Sequence, residues 1–466
     1  MRMLPFAISA LALALALPAA AHAQSLPATP TGKEALEILK EAVDVPTVAG
    51  RGNVPKLAEK LTARLVAGGF DPKDISFTPV EGTDTGYFIA RYPGKDRKAK
   101  PVVINVHLDV VEARPEDWER DPFTAVVENG YVFGRGSVDN KGDVSMIIAT
   151  LLKLKRAGWV PSRDLVLGIS GDEETLMRST AKLAETLKNA ELVLNGDGGG
   201  GELSSDFKPI VYSVQAAEKS YADFKLTVTD EGGHSSRPGS FNAIGAMSRA
   251  LAKVDAYRFP PQLSPLTKAY WEGTAKAAPA DVAAAMRAFA ADPTDTAASD
   301  LLSSHSEYVG LVRTTCVPTM VNGGHAANAL PQSVTANINC RIFPGTSRAQ
   351  AGEILKKLID DPRVTLEMMD DGSIESPESP LRKDVMDAVA KAVHERVPGL
   401  TIVPQMSAGA SDSMYFRALG IPSYGVSAIF MRADDEFSHG LNERLPLDTI
   451  DPGVKQWETL LRTLLK

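Results

Sequence analysis

Two cysteines in 466 residues, Cys316 and Cys340, are too few for a disulfide-built scaffold, and neither has Cys or His neighbours at zinc-ligand spacing. Excess positive charge is missing too. Lys and Arg number 50 against 58 Asp and Glu, a net charge of −8. That leaves no basic field for a phosphate backbone or an anionic membrane and argues against nucleic acid as a partner. Beyond the N-terminus no stretch reaches the 18 or so unbroken apolar residues of a membrane span. A Gly-x-Ser-x-Gly elbow is also absent, which sets aside a serine hydrolase of that type.

What is present begins with a leader. Met1-Arg2-Met3 is positively charged, residues 6–17 are apolar but too short to span a bilayer, and Ala21-His22-Ala23 fits a small-x-small cleavage site. The expectation is a secretory signal over 1–23, cut near Gln24, and a secreted or periplasmic protein without membrane contact. Export makes a Cys316–Cys340 bridge permissible. The two lie in strand-like runs, 308–321 and 334–342, and a bridge or two buried thiols are both open, with thiols the commoner state.

A chain of this length with 44% hydrophobic residues outgrows one core, so two domains are expected. From 33 to 194 helical patterns (33–42, 54–68, 144–154, 179–188) are interspersed with apolar strand-like runs (75–80, 86–91, 101–106, 165–169, 192–194). Residues 112–130 read as a polar, Pro-rich loop. This alternation predicts an α/β fold, a mostly parallel sheet with helices on both faces. From 211 the texture changes to period-two strands (221–229, 334–342), helices (243–254, 349–359), a strand at 364–368 and an Ala-rich helical block at 275–302. That order suits a small two-layer α+β domain. Alternating strands and helices resume after a linker at 376–380. The chain therefore divides into 24–217 and 375–466 as one α/β domain, with 218–374 inserted.

The chemistry-bearing residues gather at strand ends. The run 102–106 stops at His107 and Asp109, the run 165–169 at Glu173 and Glu174, and the run 192–194 at Asp197. Asp139 precedes the helix at 144–154, and His439 lies in the last third. Each alone has an ordinary explanation: a helix cap, a solvated charge pair, a turn residue beside glycines, a surface imidazole. Together they fall mostly on one face of the sheet, just beyond its carboxyl edge, where α/β proteins bind ligands. Two imidazoles and three carboxylates suit a pair of divalent ions with one carboxylate bridging. Adjacent glutamates point in different directions, so one can ligate while its neighbour carries a proton.

Six motifs in order give the chain a family. Val106-His107-Leu108-Asp109, Trp118 with Asp121-Pro122-Phe123, Gly134-Arg135-Gly136-Ser137-Val138-Asp139-Asn140-Lys141-Gly142, Asp172-Glu173-Glu174, Gly232-Gly233-His234-Ser235-Ser236-Arg237-Pro238 and Ser438-His439-Gly440-Leu441-Asn442-Glu443 resemble the M20 family of co-catalytic zinc peptidases and deacylases. The resemblance implies two Zn²⁺ per subunit, with Mn²⁺ or Co²⁺ as substitutes. His107, Asp139 and Asp197 would hold one ion and Asp139, Glu174 and His439 the other. It implies Glu173 as general base and then acid, Asp109 as the hydrogen-bonding orienter of His107, and a cis peptide after Asp139. It makes the inserted domain a lid and dimerisation domain whose His234 reaches the partner subunit's site and polarises the scissile carbonyl, hence a homodimer. Asn328, Arg341, Gly409 and Ser411 match substrate-binding positions, Arg341 being suited to a terminal carboxylate.

The function expected from this is a dipeptidase or exopeptidase acting on small peptides, with a carboxypeptidase or deacylase on N-acyl amino acids as the alternative. Aspartate at 197 is what inclines the family comparison towards dipeptidases. A non-catalytic binding protein on the same fold is disfavoured, because no ligand position and no base is missing.

Overall fold

The structure, a computed structural model, describes residues 26–466 except 371 and 436; the expected signal at 1–23 lies outside the described residues. Its frame is a ten-stranded mixed sheet. At the centre Val102–His107 runs parallel to both Leu165–Ser170 and Leu192–Asn195, and Ser423–Gly425 continues parallel to the latter. All sixteen residues of the first three strands are buried, the signature of a parallel sheet covered on both sides. Each Val, Leu or Ile so buried contributes about 1.5–3 kcal/mol.

The helix Lys141–Arg156 is buried over most of its length, between the sheet and the helices Pro30–Val43 and Ile450–Leu464. All of these central strands end at the same edge, so His107, the loop after Ser170 and the loop after Asn195 converge.

The inserted domain is a four-stranded antiparallel sheet in the order Thr315–Gly323, Ser333–Ile342, Ser220–Thr229, Val364–Met368. Burial alternates strictly along Ser220–Thr229 and Ser333–Ile342. Phe224, Leu226, Ile338 and Cys340 face one core with residues of the helices Ala243–Ala256 and Arg348–Ile359, and the side chains of the other face are half-buried or exposed.

Three features depart from the sequence reading. Cys316 and Cys340 are bridged rather than two thiols, because the strand register sets them directly opposite each other with Cα atoms 4.1 Å apart. The Ala-rich block belongs to the large core: Met286 and Phe289 of its helices, with Trp271 of the preceding helix Pro265–Thr274, are fully buried in the cluster that includes the main sheet. Helix Pro265–Thr274 lies so close to strand Ile402–Ser407 that a Cβ on Gly273 would come within 2.4 Å of Val403. Finally, the stretch read as loop ends in Val126–Glu128, which pairs with Tyr131–Phe133 and through it with Arg444–Pro446. Strands of three residues are too short to show a period.

Candidate metal centre

His107 closes a fully buried strand, and its Nδ1 lies 3.0 Å from the backbone carbonyl of Asp109. A proton on Nδ1 then donates to that carbonyl, and Nε2 turns its lone pair to the site. Nε2 is 2.9 Å from Asp139 Oδ1 and 3.8 Å from Asp197 Oδ2. From the other side His439 Nε2 lies 3.2 Å from Asp139 Oδ2 and 2.9 Å from Glu174 Oε2. Asp139 thus turns one oxygen to each imidazole, the disposition of a bridging carboxylate. The Asp139–Asn140 peptide is cis. His439 has φ 60°, a left-handed conformation that non-glycine residues adopt rarely and mostly at functional turns.

Donor atoms of His107, Asp139 and Glu174 all lie within 4.8 Å of one another, as do those of His107, Glu173 and Asp197. Burial, reinforced by neighbouring carboxylates, pushes Glu173 and Asp197 well above the ordinary acid range and also raises Glu174. For Asp139 burial works the same way, but hydrogen bonds from His107 and His439 outweigh it and hold the group low. The bonds of His439 to Asp139 and to Glu174 lift its imidazole to about 10. So much half-buried negative charge beside two imidazoles is costly until cations neutralise it. The donor set fits two divalent ions, held by His107, Asp139, Asp197, Glu174 and His439.

Asp109 is bonded to the His107 ring as expected, though through its backbone carbonyl, and it carries a second task as well. Its carboxylate is 3.5 Å from His107 Nδ1, farther than its own carbonyl. The carboxylate oxygens accept from the backbone N–H groups of Glu173 at 3.0 Å and Glu174 at 2.9 Å. Asp109 therefore orients His107 through its backbone and fixes the two glutamates through its side chain. Sequence spacing could not separate these roles, because the second requires two strand ends to meet.

Two further carboxylates, Glu443 of the motif 438–443 and Asp412 at the end of the loop 409–412 that resembles a substrate-lining segment, were not singled out in the sequence. Glu443, fully buried, accepts from Gly136 N, Val138 N, Asp139 N and Arg135 Nη1, and so holds the loop that presents Asp139. Gly136 has φ 84° and would set a Cβ 2.6 Å from Val110, so the loop closes only with glycine there. Asp412 accepts from Asn105, Ser170 and Thr180 beneath the centre, and burial raises it to about 6. Both lie inside segments that carry the family pattern, the one signal that marked them.

On the lid, His234 is exposed on the short strand Gly233–His234, paired with Ala329–Leu330. Its Nδ1 accepts from Ser236 N at 3.1 Å, and Asn328 O accepts from Ser235 N. These two residues are brought together, but among the described residues neither is bonded to the metal cluster. Arg341 Nη1 donates to Ala408 O at 3.3 Å, beside exposed Gly409. Ser411, expected to line the substrate, is buried and donates to Glu218 at 2.9 Å, because Glu218 and Arg417 form a buried ion pair beneath that loop. A cleft of about 350 Å³ opens at Asp139 and Asp197 and runs over Gly198–Gly201 towards Ile429 and Met431.

The sequence model of Peptidase family M20/M25/M40 matches residues 103–463. The chain belongs to this family. It is 27% identical to the N-fatty-acyl-amino acid synthase/hydrolase PM20D1 of Xenopus tropicalis, over 92% of this chain and 86% of that one. It is also 27% identical to the probable carboxypeptidase S-like 2 of Dictyostelium discoideum, over 77% and 70%. The fold superposes on the M20 metallo-carboxypeptidase Sso-CP2 of Sulfolobus solfataricus with a TM-score of 0.70 at 20% identity, covering 92% of this chain and 99% of that one. As an M20 member the protein is an amide-bond hydrolase, and it brings together groups that could hold metal ions.

Proposed function

We propose that the protein hydrolyses amides whose leaving group is an amino acid with a free carboxylate: N-acyl amino acids and the C-terminal residue of short peptides, dipeptides included. The observation that carries this reading is Glu173. Glu174 is bonded to His439, whereas the Glu173 carboxylate, also within 4.8 Å of a His107 nitrogen, makes no hydrogen bond among the described residues and is free to exchange a proton. Two divalent ions, zinc in this reading, would when bound polarise the scissile carbonyl and make a water more acidic. Glu173 is placed to take a proton from the water that attacks the carbonyl carbon and to deliver it to the nitrogen as the C–N bond breaks. Asp109 holds Glu173 in place through its backbone.

The names of the curated relatives favour the N-acyl amino acid and carboxypeptidase reading over a strict dipeptidase. Arg341, next to the loop at 409, suits the carboxylate of the leaving amino acid. The reading includes export to the periplasm or medium. It also includes a homodimer in which one subunit's His234 completes the other's oxyanion stabilisation; in its own chain His234 has no bond to the cluster.

The test is a panel of N-acetyl and N-decanoyl amino acids, dipeptides and their carboxamides, assayed with and without added zinc. Cleavage should be lost on chelation and restored by zinc, with carboxamides at least about tenfold poorer. Equal cleavage of carboxamides would remove the carboxylate requirement.

A further inference from the structure

The other face of the inserted sheet carries a half-buried polar strip beside exposed Val317 and Met320 of strand Thr315–Gly323. Tyr221 and Asp223 of strand Ser220–Thr229 lie on it, with Asn337, Asn339 and Arg341 of strand Ser333–Ile342. In register Tyr221 stands opposite Arg341 and Asp223 opposite Asn339. The Arg341 guanidinium lies over the Tyr221 ring, 4.7 Å from its centroid. Asp223 is one diagonal step from Arg341, within reach of so long a side chain, yet the two do not pair. Neutral donors occupy its oxygens instead. Tyr221 Oη donates at 2.6 Å, Asn337 Nδ2 at 2.8 Å and Asn339 Nδ2 at 3.0 Å.

Arg341 is left with a ring beneath it, one backbone carbonyl beside it and, among the described residues, no carboxylate. A guanidinium so placed keeps its charge and its planar fork for an anion from outside the chain.

We propose that Tyr221 is a positioning residue for recognition of the substrate's free carboxylate: its ring carries Arg341, and its hydroxyl, with Asn337 and Asn339, keeps Asp223 from capturing the guanidinium. This rests on the reading of the substrate as a free-carboxylate amide and names the device that selects it.

The test is steady-state kinetics of the zinc-loaded full chain on an N-acyl amino acid and on its carboxamide. Tyr221→Phe keeps the ring but frees Asp223 to turn towards Arg341. KM for the carboxylate substrate should rise about fivefold with kcat within about twofold, and the carboxamide should be unaffected. Asn339→Ala, which removes another donor from Asp223, should act in the same direction and serves if Tyr221→Phe does not fold. Adding Asp223→Asn to Tyr221→Phe removes the competing charge and should restore KM, a rescue that a merely structural role would not produce. An unchanged KM in these variants, or a raised KM that Asp223→Asn leaves raised, overturns the proposal. Arg341→Met separates the two levels. If it leaves KM unchanged, the substrate reading itself fails; if it raises KM while Tyr221→Phe does not, only the role of Tyr221 fails.

Discussion

At the sheet edge the donors are held from behind: Asp109 fixes Glu173 and Glu174, Glu443 fixes the Asp139 loop, and Asp172 accepts from Ser179 and Arg178 to close the turn after the two glutamates. On the lid, His234 is exposed on a two-residue strand, Asn328 is exposed in the turn before Ala329–Leu330, the strand paired with that of His234, and Arg341 rests on one ring and one carbonyl. The first region is preorganised for charge inside a single chain. The second offers groups that become useful only when substrate, and on the present proposal a second subunit, is brought to them. Damage to the first should therefore abolish chemistry without moving the fold, while damage to the second should be repairable in trans or by substrate.

The sharpest break is at Glu173. Glu173→Gln should keep both metals, measured by metal analysis, and lower kcat by about 10²–10⁴; retained turnover would remove the base from its role. Next comes His234→Ala, expected to cost about 10²–10³ in kcat. Mixing it with the Glu173→Gln protein should recover activity if the histidine serves the partner subunit, and none if each chain is self-sufficient.

A smaller effect is expected at the lid bridge. Replacing Cys316 and Cys340 by serine should destabilise by about 2–4 kcal/mol, seen in chemical denaturation, with little change in kcat because the bridge lies away from the metal cluster.

The smallest effect is a pH slope. Burial depresses Lys219, which donates to Arg313 O, to about 7. Since the unfolded lysine titrates near 10.4, the folded state binds fewer protons between these values, and stability rises with pH across that window. The slope is at most about 1.4 kcal/mol per pH unit, and Lys219→Met should flatten it.

Much of this was legible from residue order. His107 ends an apolar run, and the central strands and helices lie close to where their periodicity places them, because buried parallel strands need continuous apolar segments. The metal-type donors were legible as residue types at strand ends. The second task of the Asp109 carboxylate and the tasks of Glu443 and Asp412 were not legible, because their hydrogen bonds reach backbone or side-chain donors 64 to 308 residues away. Ser411 was misjudged for the same reason: its burial depends on Glu218 and Arg417 meeting beneath it.

By itself, then, the sequence determined the α/β frame with an inserted α+β domain, the family, and the set of imidazoles and carboxylates available to a metal pair. These follow from local pattern and from the order of motifs. Only the tertiary structure decided which groups each buried carboxylate serves, that the two cysteines stand in register and are bridged, that the Ala-rich helices join the main core, and that Asp223 is occupied so that Arg341 has no carboxylate partner among the described residues. Each of those is a contact between distant segments, and a side chain's partner is chosen by the strand register and burial around it, quantities that exist only once the chain has folded.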